Sequence, residues 1–280
     1  MHSKHFLAIS PHSFHRIAYT QWGDPQNPRV LICAHGLTRN GRDFDAFAQA
    51  LENDYRVICP DVIGRGKSDW LTYKPDYGYP LYVSQMAALI AHIGVEEIDW
   101  VGTSMGGLIG MLLASLPGTP IRRMVMNDIG PFIPKAALER LKEYVGQAPT
   151  FDAIEALEAY VRKISAPFGP LTDAQWRHLA VHGSYRNSDG KLHLAYDPAI
   201  GDAFKDEQKD VDLWMMWNAV RCPVLVTRGE KSDLLLRETA EKMKVRPQTE
   251  VAEIPEVGHA PMLMDQKQID VVREFLLRAA

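Results

Sequence analysis

A glycine-flanked serine stands where a strand-like run meets a helical one. Gly102-Thr103-Ser104-Met105-Gly106-Gly107 follows Ile98 to Val101 and precedes Leu108 to Leu116. A strand that turns directly into a helix needs residues without side chains there, so that the two elements approach and the serine hydroxyl projects. A hydroxyl is a weak nucleophile near pH 7, and it needs a base to take its proton and an acid to orient that base. Ten histidines are present, and His259, in Val257-Gly258-His259-Ala260-Pro261, is the one that follows a strand pattern and precedes the last helix. Two carboxylates compete to orient it. Asp233, in Arg228-Gly229-Glu230-Lys231-Ser232-Asp233, lies just past a strand and is preferred; Asp128, in Met126-Asn127-Asp128-Ile129-Gly130, ends the preceding strand and is the alternative.

Attack of a serine on a carbonyl develops a negative oxygen, and two backbone N–H groups aimed at it lower the barrier by on the order of 3 kcal/mol each. His35-Gly36-Leu37 closes the run Val30 to Ala34, so Leu37 and Met105 are the expected donors, with His35 bracing the loop as a buried imidazole. Asp61-Val62-Ile63-Gly64-Arg65-Gly66-Lys67-Ser68 ends like a phosphate loop. Asp61 stands where that loop needs its first glycine, and Asp69 where a dinucleotide motif needs its last, so this segment reads as structural. Trp214 and Trp217, beside Met215 and Met216, are candidates for a hydrophobic substrate pocket or for packing between domains. No His and carboxylate spacing suggests a metal, and the chemistry requires no cofactor.

These residues need a scaffold that brings several strand ends together. Val30 to Ala34, Arg56 to Cys59, Ile98 to Val101, Met124 to Met126 and Val224 to Thr227 alternate with helical patterns, which implies an α/β fold with a mostly parallel sheet and helices on both faces. Tyr82, Met86, Leu89, Ile90 and Ile93 share one helical stripe that ends at Gly94. Strand-like runs vanish between Gly130 and Val220, which predicts an inserted helical cap over residues 131–216 on a core of residues 1–130 and 217–280. At 46% hydrophobic and 24% charged, the chain has the composition of a folded protein, and 280 residues suit one α/β domain with an insertion. A net charge of -4 offers no positive field for nucleic acid. No run is long enough to anchor the chain in a membrane, and three cysteines without CxxC spacing fit buried thiols in a cytoplasmic protein.

With its His-Gly-Leu, DxxGxGxS, GxSxGG, acid-loop and Gly-His motifs in family order from His35 to His259, the chain resembles the α/β-hydrolase superfamily. The resemblance implies a serine nucleophile in chain order serine, acid, histidine, a helical cap, and hydrolysis of a small acyl substrate, foremost a carboxylic ester. The same family admits C–C bond hydrolases of ring-cleavage products, lactonases, thioesterases and non-enzymatic ligand receptors. An aspartate nucleophile serves the family's dehalogenases and epoxide hydrolases, so Ser104 disfavours both. The acid loop departs from the family pattern: Gly229-Glu230-Lys231-Ser232-Asp233 is one residue longer than the common GxxD form.

Overall fold

The computed structural model describes residues 1–278. The chain opens with an antiparallel hairpin of β1 (His2–Ile9) and β2 (Phe14–Trp22), a pair the sequence reading did not foresee. It continues through β3 (Val30–Ala34), α1 (Asp45–Leu51), β4 (Arg56–Pro60), α2 (Tyr79–Ile93), β5 (Ile98–Thr103), α3 (Met105–Ala114) and β6 (Ile121–Asn127). A long insertion follows, with β7 (Phe132–Ile133), α4 (Lys135–Lys142), β8 (Thr150–Phe151), α5 (Ile154–Ile164), α6 (Asp173–His182), β9 (Ser184–Arg186), β10 (Leu192–Leu194), β11 (Val211–Asp212) and α7 (Trp214–Ala219). The chain ends with β12 (Val224–Gly229), α8 (Arg237–Met243), β13 (Thr249–Ile254) and α9 (Gln266–Leu277).

The eight-stranded sheet runs β1-β2-β4-β3-β5-β6-β12-β13, with β1 and β2 antiparallel to their neighbours and the rest parallel. Its central strands are buried on both faces, which is why β3 reads as an unbroken apolar run rather than an alternating one. Leu31 and Ile32, adjacent on β3, face opposite layers. Ile32 joins the layer built with α2 and α3, and Leu31 joins the layer built with α1 and α9. Each such side chain contributes roughly 1.5–3 kcal/mol on burial. Helix α2 buries Tyr82, Met86, Leu89, Ile90 and Ile93 and stops at Gly94, whose left-handed backbone (φ +74°) lets its N–H close on the Ile90 carbonyl.

The insertion has a small core of its own, in which Leu157, Val161, Trp176, Leu179 and Leu192 pack with Met262 and Met264 from the loop before α9. It is less purely helical than the sequence suggested, since β8, β10 and β9 form a three-stranded sheet. Those strands are two or three residues long, too short to display an alternating pattern. Helix α7 runs through the expected boundary between residues 216 and 217 and packs against α3. No helix among the described residues is long and apolar enough to cross a membrane.

Candidate active site

Three strand ends on the same sheet edge supply the reactive side chains. Ser104 occupies the turn between β5 and α3 with φ +52°, a left-handed conformation that costs a non-glycine residue on the order of 1–3 kcal/mol. The flanking glycines make that turn possible. A Cβ on Gly106 would stand 2.0 Å from the Ala34 carbonyl oxygen, and one on Gly102 would stand 2.3 Å from the Gly106 carbonyl. Ser104 Oγ lies 2.9 Å from His259 Nε2. On the other side of the ring, His259 Nδ1 lies 2.7 Å from Asp128 Oδ2.

Asp128 follows β6 directly, is fully buried, and also has a left-handed backbone (φ +54°). Besides the imidazole, its carboxylate accepts the Gly229 N–H at 2.8 Å and the Ser232 hydroxyl at 2.6 Å. Its neighbour Asn127 holds the two halves of the site in register. Asn127 Nδ2 donates to Thr103 Oγ1 and to the Pro261 carbonyl, while its Oδ1 accepts the Thr227 hydroxyl. One buried amide thereby ties the turn before Ser104 to the loop after His259.

Asp233, the acid preferred from the sequence, does not reach His259. It is half-exposed and makes a two-pronged ion pair with Arg140 of α4, at 2.5 and 3.0 Å. The extra residue in the acid loop explains the difference. Counting from Gly229, the common GxxD spacing falls on Ser232, which points inward and bonds Asp128. The next residue is carried outward, so the longer loop donates a hydroxyl to the site and sends its carboxylate to the insertion.

The opposite wall presents backbone rather than side chains. The N–H groups of Leu37 and Met105 have no acceptor among the described residues, and Met105 opens α3, where the first N–H groups have no helical partner. Buried side chains hold these two positions. His35 Nδ1 lies 2.7 Å from the Gly36 carbonyl, and its Nε2 accepts the Val62 N–H, so the ring is a neutral brace. Burial pushes its pKa down to about 4. Arg65, fully buried, donates to the carbonyls of Leu37 and Ile63 and touches Met105 Sδ. Asp61 accepts the N–H groups of Gly41 and Lys67, and burial nonetheless pushes its carboxyl up to about 6. The segment read as structural is therefore the buttress of the Leu37 loop, a link the motif itself does not spell out.

Two cavities meet at Ser104, where Leu37 and Leu141 belong to both. The smaller, about 80 Å³, is bounded by polar groups that include Arg39, Arg140, Tyr144, Ser165 and His259. The larger, about 730 Å³, is walled by Tyr79, Val83, Leu108, Ile133, Leu213 and Met216. Trp214 and Trp217 line neither, which corrects their candidacy as pocket residues. Trp217 is buried in the core with the Arg246 guanidinium 5.3 Å from its ring, and Trp214 carries the Lys242 ammonium 4.2 Å above its ring. Their role is packing, and Met216 is the member of that run that meets the cavity. Asp45, His178 and His182 come close enough to hold a cation, but the Arg42 guanidinium already bonds Asp45 and lies against His182.

Residues 31–272 match the model of the alpha/beta hydrolase family, and the chain belongs to that family. It is a hydrolase by that membership and by its relatives. A 3-hydroxybutyrate-oligomer hydrolase of Cupriavidus necator is 48% identical over 97% of this chain and 96% of its own. An N-formylmaleamate deformylase of Pseudomonas putida is 26% identical over 82% of this chain and 81% of its own. The crystal structure of an alpha/beta hydrolase from Novosphingobium aromaticivorans superposes with a TM-score of 0.89, at 35% identity and 99% coverage of both chains.

Proposed function

We propose that this hydrolase cleaves carboxylic esters through an acyl-enzyme, with Ser104 as nucleophile, His259 as general base and Asp128 as the acid that orients the imidazole. The observation that carries the reading is the continuous line Ser104 Oγ, His259 Nε2, His259 Nδ1, Asp128 Oδ2, with contacts of 2.9 and 2.7 Å. Ser104 attacks the ester carbonyl as His259 takes its proton, and the oxyanion settles on the Leu37 and Met105 N–H groups. The alcohol leaves with the proton from His259. Water, deprotonated by the same imidazole, then releases the acid and restores Ser104.

The similarity to a hydrolase named for 3-hydroxybutyrate oligomers, extending over 97% of the chain, supports linear oligoesters of short hydroxy acids as the substrate class. The apolar cavity is suited to the methyl-bearing ester chain of such molecules. Residues 131–216 act in this reading as a cap over the cavities, and the buried thiols of Cys33, Cys59 and Cys222 fit a reducing, cytoplasmic setting.

The test is hydrolysis of p-nitrophenyl butyrate and of a linear 3-hydroxybutyrate trimer, together with labelling by a fluorophosphonate. Wild type should turn over both esters and label at Ser104, and Ser104→Ala should lose turnover and label together. A folded wild type that neither labels nor cleaves either ester would contradict the reading.

A further inference from the structure

Arg39 and Arg140 both line the small cavity at Ser104, and both bond carboxylates through Nε and Nη2 and show no hydrogen bond from Nη1 among the described residues. Arg39 donates to both Asp43 oxygens and to the Leu179 carbonyl, which joins the loop after β3 to α6. Arg140 donates to Asp233 through Nε and Nη2 and lies within hydrogen-bonding reach of the Tyr144 hydroxyl, which leaves it less tightly pinned to backbone than Arg39. The Ser165 hydroxyl, on a residue that is 7% exposed in the same cavity, has no partner among the described residues. A guanidinium N–H without a carboxylate partner and an unpartnered hydroxyl, lining one cavity at Ser104, are suited to receive a carboxylate.

Resting on the ester-hydrolase reading above, we propose that Arg140 receives the free carboxylate of the substrate's leaving group. The small cavity, in which these polar groups stand among apolar side chains, then takes one terminal hydroxy-acid unit, and the large apolar cavity takes the rest of the ester chain. Asp233 is a positioning residue here: by holding Nε and Nη2 it turns Nη1 to the ligand.

The arrangement sets the direction of cleavage. Ser104 Oγ bonds to the carbonyl carbon next to the terminal unit, and the bond from that carbon to the unit's hydroxyl oxygen breaks. The proton taken by His259 passes to that oxygen, so a single hydroxy acid departs. Water then displaces Ser104 from the acyl chain and leaves a shortened oligomer with a new carboxylate end, which is again a substrate.

The experiment compares wild type, Arg140→Gln and Arg140→Lys on a linear 3-hydroxybutyrate trimer with a free carboxylate and on its methyl ester, counting only cleavage between hydroxy-acid units. The expected result is a ratio of kcat/KM, free acid over methyl ester, that falls at least about tenfold in Arg140→Gln, mainly through KM. Arg140→Lys should keep part of that preference. With the terminal carboxylate isotopically labelled, wild type should release the label first as monomer. An unchanged ratio in Arg140→Gln, or label released first in a dimer, would overturn the proposal while leaving ester hydrolysis intact. A wild type inactive on both trimers and on p-nitrophenyl butyrate would overturn the ester reading itself, and this inference with it.

Discussion

The two walls of the site are built on opposite plans. On the base side, Asp128, His259 and Ser232 meet as side chains from three loops, and the carboxylate comes from the end of β6 while the loop after β12 supplies only a hydroxyl. On the proposed oxyanion side, the backbone N–H groups of Leu37 and Met105 have no acceptor among the described residues, and His35, Asp61 and Arg65 are buried behind that loop. The difference teaches that a side-chain role can fall to one of two neighbouring strand ends, the end of β6 reaching the histidine while the loop after β12 reaches only Asp128. A backbone role depends on the path of the chain, and buried groups that tolerate little change must hold it.

The comparison breaks most sharply at the two aspartates. Asp128→Asn should lower kcat on p-nitrophenyl butyrate by about 10⁴, because an amide no longer holds the imidazole in the tautomer that accepts the serine proton. Asp233→Asn should cost less than about tenfold. Equal losses would mean that the base side is not organised around Asp128.

The proposed oxyanion wall should reveal itself in stability rather than in rate. His35 is depressed to about 4 in the folded chain from an ordinary 6.5, so its burial lowers stability as pH falls from 6.5 towards 4, by about 3 kcal/mol in all. Asp61 is raised to about 6 from 3.8, so its contribution has the opposite sign: about 3 kcal/mol of stability is present below 3.8 and is lost as pH rises through 6. The two nearly cancel in the wild type. In urea unfolding at pH 7, 5.5 and 4, the stability advantage of wild type over His35→Asn should shrink on acidification, and that over Asp61→Asn should grow. Parallel curves for wild type and both variants would show that the brace does not titrate as described.

A smaller effect separates the hydroxyl from the carboxylate on the base side. Ser232→Ala removes one of three donors to Asp128 and should reduce kcat by up to about tenfold, a hydrogen bond's worth of about 1 kcal/mol. A loss as deep as that of Asp128→Asn would make Ser232 more than a support.

The same contrast explains what the sequence made legible. Ser104 and the core strands could be read because glycines at 102 and 106 are demanded by backbone approach, β3 is apolar throughout, and β5, β6 and β12 are buried along nearly their whole length around short apolar runs. The position of His259 between a strand and the last helix brought it to the same edge. The acid was ambiguous because Asp128 and Asp233 both follow strands, and side-chain direction inside a loop leaves no periodic trace. The one-residue lengthening of the β12 loop was the visible signal, and the structure shows its meaning in Ser232. Hairpin β1–β2 went unread because β1 buries only Phe6 and Ala8 and shows polar residues on both faces. Arg140 had no signal at all, since it reaches the site from the insertion, where no motif anchors its register.

The most direct test of the central claim is the proton NMR spectrum at low field, where an imidazole N–H held by a buried carboxylate resonates far from other signals. Wild type and Asp233→Asn should both show the His259 Nδ1 proton, and Asp128→Asn should lose it. A resonance that survives in Asp128→Asn and disappears in Asp233→Asn would contradict the account.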